Sequence, residues 1–310
     1  MTVERALTAA VLTDLELAAR IAKKGTETDL TVFDRKKGDF VLSLVVPHRF
    51  PEKVLPLLFA MAGADAAVVS VRDLSRALGD TLVAVDAFRP PHVALYLPGP
   101  IAREQAAALV KGTALEGAPS FASHHEVAEF LSDPARQPRA APGTAVMVDQ
   151  SFDVKGVGTV VLGKVHAGPV RVNQKLRALP EGPEVSVRSI QIHDDDHAAG
   201  PPGVRVGLAL RGADVDDVPR GTVLAADAQA KVAASLEGPF RPNPFFRPAP
   251  APGQVVHVAS GFASAPGRIT EARGDHLALV LDRPVVRLPG LPAVAASLDA
   301  PGSRVVGAFP

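Results

Sequence analysis

The chain has 310 residues, about twice the length of a typical domain, so two or three compact units are expected. Its 33 basic and 33 acidic side chains cancel, which excludes a strongly basic nucleic-acid-binding protein and confines any RNA contact to local patches. Cysteine is absent, which excludes disulfide frameworks, thiolate zinc sites and cysteine nucleophiles. No apolar run reaches the ~20 residues of a membrane span, and no signal peptide is recognisable. We therefore expect a cytoplasmic protein with no membrane partner.

The first part of the chain alternates short β-type runs with helical ones, which predicts a parallel sheet with helical crossovers. The predicted strands cover 6–12, 39–46, 66–71 and 92–97, and the predicted helices cover 15–24, 51–63, 74–88 and 124–131. A stretch at 133–143 that is rich in proline and arginine has no periodicity, which is typical of a linker.

After this linker the apolar residues follow a period of two. The pattern is clearest at 204–211, where Val204, Val206, Leu208 and Leu210 share one face of a strand. Similar runs at 160–165, 185–192 and 255–258 predict further strands and no long helix. We expect an α/β domain over 1–135 and two small β-barrels over 143–226 and 227–310, that is, the fold class α/β plus all-β.

A family resemblance appears in the segment Val148-Asp-Gln-Ser-Phe-Asp-Val-Lys-Gly-Val-Gly-Thr-Val-Val-Leu-Gly-Lys-Val165. It resembles the start of the second domain of translational GTPases of the elongation factor Tu class, above all selenocysteine-specific elongation factors and their archaeal Tu-like relatives. Later segments follow in the family's order, at 168–180, 187–193, 203–210 and 217–221 and, for the third domain, at 245–247, 283–286 and 302–307. The resemblance implies a P-loop-GTPase-like α/β domain followed by two translation-factor-type β-barrels. Barrel geometry by itself also accounts for the glycines of the first segment.

The phosphate-binding loop of such a GTPase is missing. The family pattern G-x-x-x-x-G-K-[ST] follows the first strand, because backbone amides and a lysine must hold the phosphates. Here the strand continues through Thr13 and Asp14 into a helix, and no glycine precedes Gly25. Thr13 and Glu16 have the spacing of a capping box, which would occupy the helix amides and place carboxylates where the phosphate charge would lie.

The two switch motifs are also altered. The segment Gly25-Thr-Glu-Thr-Asp-Leu30 resembles the first switch of the selenocysteine factors, with Glu27 at the position of the magnesium-binding threonine. The next motif, D-x-P-G-H in the family, is Val45-Val-Pro-His-Arg-Phe50 and lacks the carboxylate and the glycine. His48 matches only if one residue is deleted, and an ungapped reading puts Phe50 at the water-orienting position.

The base-recognition motifs are equally poor. Pro98-Gly-Pro-Ile101 stands where the family has N-K-x-D, so the carboxylate that selects guanine is absent. Gly112-Thr-Ala-Leu115 weakly resembles the last motif. We therefore expect a pseudo-GTPase with no catalytic residue, no metal and no cofactor.

Five cations bracket the switch-like segment, and they have two interpretations. They are either a helix C-terminus followed by a hairpin tip, or a local patch for RNA phosphates. The resemblance adds the aminoacyl-end cleft of the family, between the second domain and the GTPase domain. The candidate RNA or partner residues are Lys23, Lys24, Arg35, Lys36 and Lys37, with Phe152, Lys155, Thr159, Arg188 and His193 from the resemblance.

Two acidic groups are interpreted as solvated surface. The turn His193-Asp-Asp-Asp-His197 has ligand types that metals use, but it lies in a predicted hairpin of a β domain. Asp73, Asp80 and Asp86 have a spacing that describes the wet face of one helix, and no Ser–His pattern accompanies them.

The sequence favours a non-catalytic translation-factor paralogue that binds the ribosome or tRNA. One alternative is an active GTPase with atypical motifs, and the other is a protein-interaction adaptor without an RNA role. No DNA partner is expected. Residual nucleotide binding, the oligomeric state and motion of the segment 25–38 are left open.

Overall fold

Three seven-stranded sheets follow one another along the chain in the computed structural model, which describes residues 3–139 and 141–310. The first unit contains β1 (Arg5–Leu12), α1 (Leu15–Ile21), β2 (Lys23–Glu27), β3 (Leu30–Lys37), β4 (Phe40–Pro47), α2 (Leu55–Ala62), β5 (Ala66–Ser70), α3 (Arg76–Phe88), β6 (His92–Tyr96), α4 (Arg103–Leu109), β7 (Ser120–Phe121) and α5 (His124–Ser132). We call it the α/β unit.

The sheet of the α/β unit has the order β2-β3-β4-β1-β5-β6-β7. Strands β4, β1, β5, β6 and β7 are parallel, whereas β2 and β3 form an antiparallel hairpin at one edge. Every residue of β4 is buried, as expected for a parallel strand that is covered on both faces. Because β1 pairs with β4 on one side and β5 on the other, a crevice opens at its carboxyl end, where doubly wound sheets bind ligands.

The second unit is a closed barrel, confirming the prediction. It contains β8 (Thr144–Val154), β9 (Gly158–Ala167), β10 (Val170–Arg171), β11 (Lys175–Leu179), β12 (Glu184–Ile192), β13 (Asp195–His197), β14 (Ala199–Gly200), β15 (Arg205–Arg211), a 3-10 turn (Val215–Asp217) and β16 (Val223–Ala226). The strand order is β11-β16-β8-β9-β15-β12-β13, and pairing of β11 with β12 closes the barrel.

The third unit is a half-open barrel. It contains β17 (Lys231–Pro239), β18 (Arg241–Pro242), β19 (Val255–Ser260), β20 (Ala263–Arg273), β21 (His276–Arg287), β22 (Ala293–Ala296) and β23 (Val305–Phe309). Its order is β17-β21-β20-β19-β22-β23-β18, and no strand pairing among the described residues closes it. The predicted fold class, an α/β unit followed by two translation-factor-type β units, is confirmed, while the exact boundaries at 135, 143 and 227 stay predictions.

Helix α1 was predicted too long. It ends at Ile21, and Lys23 and Lys24 belong to β2 instead. Ala22 already has extended backbone angles, and Lys23 and Lys24 pair with Asp34 and Phe33 of β3. Pairing with a strand from farther along the chain therefore overrides the local helical pattern.

A buried polar junction joins the three units. Asp65, which precedes β5, accepts a hydrogen bond of 2.7 Å from Lys164 of β9, and each side chain is 2% exposed. His166, two residues farther along β9, lies 3.1 Å from the Pro289 carbonyl of the third unit. Arg139 donates its backbone N–H to Asp65 and its guanidinium to the Arg89 carbonyl at 2.8 Å. The predicted linker 133–143 is thus attached to the α/β unit at Arg139, and its Ala140 lies outside the described residues.

A second buried ion pair joins α3 to the third unit. Arg304 donates its Nε to Asp80 at 2.9 Å and its backbone N–H to the same carboxylate at 3.0 Å. Asp80 is 1% exposed, so the prediction of a solvated helix face is wrong at this position. Its partner lies more than two hundred residues away, and no local pattern reveals it. No helix in the described ranges is long and apolar enough to cross a membrane.

Candidate functional site

The side chain of Asp14 lies in the crevice at the carboxyl end of β1. This carboxylate caps α1 by accepting from the Leu17 N–H at 2.9 Å. It also accepts from the Ser70 hydroxyl at 2.9 Å and from the Arg72 guanidinium at 2.8 and 3.1 Å. Asp14 is 3% exposed. Three donors at this helix start, the Leu17 amide, the Ser70 hydroxyl and the Arg72 guanidinium, are therefore already bonded to the protein's own carboxylate.

The cap of α1 differs from the prediction. The helix amide of Leu17 donates to Asp14 and not to Thr13, whose hydroxyl faces the Leu12 and Ser70 carbonyls at 2.6 and 2.9 Å. Glu16 pairs with Arg20 instead of reaching back to the cap. Thr13 has a φ of 67°, a left-handed conformation that is costly for a β-branched residue. Asp14, rather than Thr13 with Glu16, thus provides the carboxylate that fills the donor positions.

Beside Asp14 the crevice keeps a cavity of about 340 Å³. Its walls include Arg72 and, from the segment after β4, His48 and Phe50. Both residues that the sequence placed at the water-orienting position therefore reach this cavity. Arg72 contributes a positive charge to the wall of this cavity, but its guanidinium is already paired with Asp14.

Glu27 faces His48 and Lys24. Its carboxylate lies 2.7 Å from the Lys24 ammonium, 3.3 Å from the Thr31 hydroxyl and 3.8 Å from His48 Nδ1. The hydrogen bond from Lys24 lowers the pKa of Glu27, so the group is a carboxylate. The described residues contain no group of three or more His, Cys, Asp or Glu side chains placed to hold a metal.

The two base-recognition segments lie at opposite ends of the parallel strands. Pro98 and Ile101 follow the carboxyl end of β6, on the side of the crevice. Gly112–Leu115 precedes β7, which is parallel to β6. This segment therefore lies toward the amino ends of the strands, away from the crevice. Leu115 is fully buried and the Ala114 N–H donates to Asp86, so both residues have structural roles.

A second cavity, of about 400 Å³, opens between the β2–β3 hairpin and the closed barrel. We call it the hairpin–barrel cleft. The hairpin contributes Lys23 and Lys24, and the barrel contributes His193 and Arg205. Three of the sequence-predicted candidates thus meet here, and Arg205 joins them from β15.

Arg205 is the buried cation of this cleft. Its side chain is 10% exposed and pairs with Asp149 of β8. One guanidinium nitrogen, Nη1, is buried and has no hydrogen-bond partner among the described residues, and the same holds for Asp149 Oδ1. A buried unpaired donor of this kind is costly unless a ligand or water completes it.

The hairpin is pinned to the barrel by two ion pairs. Lys36 pairs with Asp195 at the start of β13, and Arg220 donates to Asp29 at 2.7 Å. Arg220 also lies over the ring of Phe59 at 4.5 Å. The acidic turn predicted at His193–His197 is present as the β12–β13 hairpin, and through Asp195 it holds the switch-like segment.

The remaining candidates lie elsewhere. Phe152 and Lys155 are exposed at the β8–β9 end of the barrel, where Arg188 donates to the Val157 carbonyl at 2.8 Å. Thr159 is buried and donates to the Ala213 carbonyl, so its hydroxyl has a structural partner. Arg35 and Lys37 line neither this cleft nor the crevice cavity.

Sequence reasoning did not single out Arg72, Arg205 or Arg220 as functional. Arg205 stands in the alternating run that predicted β15, where a polar residue between apolar ones reads as an outward-facing position. Only the meeting of β15 with the hairpin shows that it borders a cleft. A pairing between distant segments has no signal in a single sequence.

Comparison with known proteins agrees with this architecture. The sequence-family model of elongation factor Tu domain 2 matches residues 158–225, which form most of the closed barrel. A selenocysteine-specific elongation factor of Methanocaldococcus jannaschii is 37% identical over 123 residues, which cover 39% of this chain and 26% of that protein. The chain belongs to the family of elongation factor Tu-like proteins.

A longer match is to the uncharacterized protein MJ0325 of the same organism. It is 30% identical over 266 residues, covering 86% of each chain. Among solved structures, the elongation factor SelB of Methanococcus maripaludis, in complex with the GTP analogue GppNHp, superposes with a TM-score of 0.80 at 18% identity. That match covers 99% of this chain and 79% of SelB. A bacterial selenocysteine-specific elongation factor gives a TM-score of 0.79 over 98% of this chain and 58% of that one. These two structural matches concern the fold.

Proposed function

We propose that this elongation factor-like protein acts in translation as a pseudo-GTPase that binds ribosomal RNA or tRNA without a nucleotide switch. Translation takes place in the cytoplasm, which is therefore the proposed location. The observation that carries the first part is the position of Asp14 in the crevice: its carboxylate accepts from the Leu17 amide at the start of α1, from Ser70 and from Arg72. A triphosphate would have to displace this carboxylate or lie against it, and like charge there opposes binding.

The nucleotide part of the proposal has a direct test. Isothermal titration of the protein with GTP and magnesium is expected to give no saturable heat at micromolar ligand. The second readout is phosphate release in the presence of ribosomes, for which we expect the background rate. Hydrolysis that disappears in Glu27→Ala would instead establish an active GTPase with atypical motifs and overturn the proposal.

The RNA part is supported by the hairpin–barrel cleft. Lys23 is exposed and forms no ion pair with any described residue, and Arg205 has an unpartnered buried donor. Phosphate oxygens or a carboxyl group would satisfy such donors. The overall charge is zero, so the attraction is local and the affinity should fall steeply as salt rises.

Co-sedimentation with ribosomes, and filter binding with tRNA, test this part over a salt series. We expect binding at low salt and a loss of about tenfold or more in affinity when Lys23→Glu and Lys24→Glu are combined, because two phosphate contacts are lost. The matched control is Lys231→Glu, which alters an exposed lysine of the third unit and should leave binding unchanged. A protein that stays in the supernatant at low salt would favour the adaptor alternative, and equal effects of the two variants would show that the cleft is not the RNA site.

A further inference from the structure

Three side chains with metal-binding atoms meet where β2 and β4 end and β3 begins. Glu27 is the last residue of β2 and lies opposite Thr31 of β3 in the antiparallel register. Thr31 in turn pairs with Val46 of β4, and His48 follows the end of that strand. The His48 N–H donates to the Asp29 carbonyl at 2.9 Å, which fixes the backbone of His48 against the β2–β3 turn. We call the three side chains the Glu27–Thr31–His48 cluster.

The polar atoms of this cluster form a triangle. The Thr31 hydroxyl oxygen lies 3.3 Å from Glu27 Oε2 and 3.3 Å from His48 Nδ1, and the third edge, from Glu27 to His48, is 3.8 Å. A hydroxyl and a carboxylate that share an ordinary hydrogen bond lie about 2.7 Å apart. The ligand atoms of a tetrahedral ion with bonds of about 2.1 Å lie about 3.4 Å apart. The triangle therefore has the size of one face of a tetrahedral metal site.

The cluster is accessible to solvent on one side. Thr31 is completely buried and forms its base, whereas the side chains of Glu27 and His48 are 38% and 40% exposed. Water can therefore complete a coordination shell. A carboxylate oxygen and an imidazole nitrogen are common ligands of zinc and similar divalent ions. Magnesium and calcium take shells of oxygen ligands, so the nitrogen of His48 selects against them.

Lys24 competes with a metal ion for this cluster. Its ammonium lies 2.7 Å from Glu27 Oε2, and its side chain is 53% exposed, so the ion pair is solvated and contributes little to stability. A divalent ion has to displace this ammonium, because the two cations repel each other. The Thr31 hydroxyl is moreover a neutral ligand. Both features set the affinity below that of zinc sites built from Cys and His ligands alone.

We propose that the Glu27–Thr31–His48 cluster binds one divalent transition-metal ion of the zinc type. The ligands are Glu27 Oε2, His48 Nδ1 and the Thr31 hydroxyl, with water in the remaining position. The imidazole binds through Nδ1 and keeps its proton on Nε2. The bound ion ties the β2–β3 hairpin to the end of β4. This site goes beyond the proposed function, because it needs neither nucleotide nor RNA.

Titration calorimetry with zinc chloride, in the presence of excess magnesium chloride, tests the proposal. We expect one saturable zinc site that magnesium does not block. His48→Ala should weaken zinc binding by about tenfold or more, because a ligand is lost. Lys24→Gln should tighten zinc binding, because the competing ammonium is removed. The matched control is His125→Ala, which alters an exposed histidine of α5 and should leave the zinc affinity unchanged.

Cobalt(II), which occupies the same tetrahedral sites as zinc, reports on the ligands. A four-coordinate cobalt(II) ion absorbs strongly in the visible region, and a six-coordinate ion absorbs weakly. We expect strong bands in the wild type, their loss in His48→Ala and Glu27→Gln, and a shift of the bands in Thr31→Val, which keeps the shape of the side chain. Three results would each contradict the proposal: equal zinc affinity in the wild type and His48→Ala, no saturable zinc binding in the wild type or Lys24→Gln, or cobalt bands that are weak or survive Glu27→Gln.

Discussion

The contact between the α/β unit and the closed barrel has two parts in which the same residue types have opposite surroundings. At the junction, Asp65 and Lys164 are almost completely buried and paired, and His166 is buried beside them. In the hairpin–barrel cleft, Lys23 and Lys24 are exposed around an open cavity. The junction holds the two units together, whereas the cleft between them is open.

The difference follows from the dielectric environment of the charges. A buried charge must be paired, because its desolvation is otherwise uncompensated. An exposed lysine remains hydrated and contributes little to stability, so it is available for binding. Buried charges should therefore control stability, and the cleft charges should control affinity. Three variants test that division, and the expected effect on stability decreases from Lys164→Met to His166→Gln to Lys23→Ala.

The largest effect is expected from Lys164→Met. The substitution leaves the Asp65 carboxylate buried at 2% exposure without its cation, which should lower the free energy of unfolding by about 3–5 kcal/mol. Denaturant unfolding, followed for the transition of the α/β unit, measures the loss. The double variant Asp65→Leu/Lys164→Met removes both charges and should recover most of it. A single-variant loss below about 1 kcal/mol would show that the pair does not hold the junction.

The pH dependence at the junction comes next. Burial, reinforced by the charge of Lys164, lowers the pKa of His166 from 6.5 to about 4. The unfolded chain therefore binds a proton that the folded chain excludes between these values, so stability is fully present above pH 6.5 and falls as the pH drops toward 4. The loss reaches about 3 kcal/mol at pH 4.

Unfolding of wild type and His166→Gln between pH 7 and 4 measures this contribution. Glutamine keeps a donor for the Pro289 carbonyl but does not titrate, so the variant should show a flatter pH profile. His197→Gln is the control. Burial also lowers the pKa of His197, but this side chain is only partly buried, whereas His166 is almost completely buried. Parallel profiles for wild type and His166→Gln would remove the histidine from the pH response.

The sequence predicts the fold better than the site. The strands β1, β4, β5 and β6 and the helix α3 have apolar periodicity set by burial, so their positions can be predicted locally. The hairpin β2–β3 was missed because Lys23, Lys24 and Gly25 have no alternating apolar pattern and become a strand only by pairing with β3.

Site residues fail for the same reason. Two ion pairs join different units, Asp80 with Arg304 and Asp29 with Arg220. The partners of each pair are separated by about two hundred residues in the sequence. The absence of a phosphate loop could be predicted, since it depends on missing glycines in one segment. The pairing of Asp14 with Arg72 in the crevice could not be predicted, because it depends on β1 and β5 lying side by side.

The smallest effect on stability is expected from Lys23→Ala, and it is the sharpest test of the division between junction and cleft. Lys23 is exposed and has no ion-pair partner among the described residues, so the melting temperature should change by less than about 2 °C. The affinity for ribosomes or tRNA should nevertheless fall several-fold, with a shallower dependence on salt, because one phosphate contact is lost. Differential scanning fluorimetry and a filter-binding salt series give the two readouts. The contrary result is that Lys23→Ala destabilises the fold as strongly as Lys164→Met and leaves RNA binding intact. The exposed charges would then be structural, and the hairpin–barrel cleft would not be the RNA-binding site.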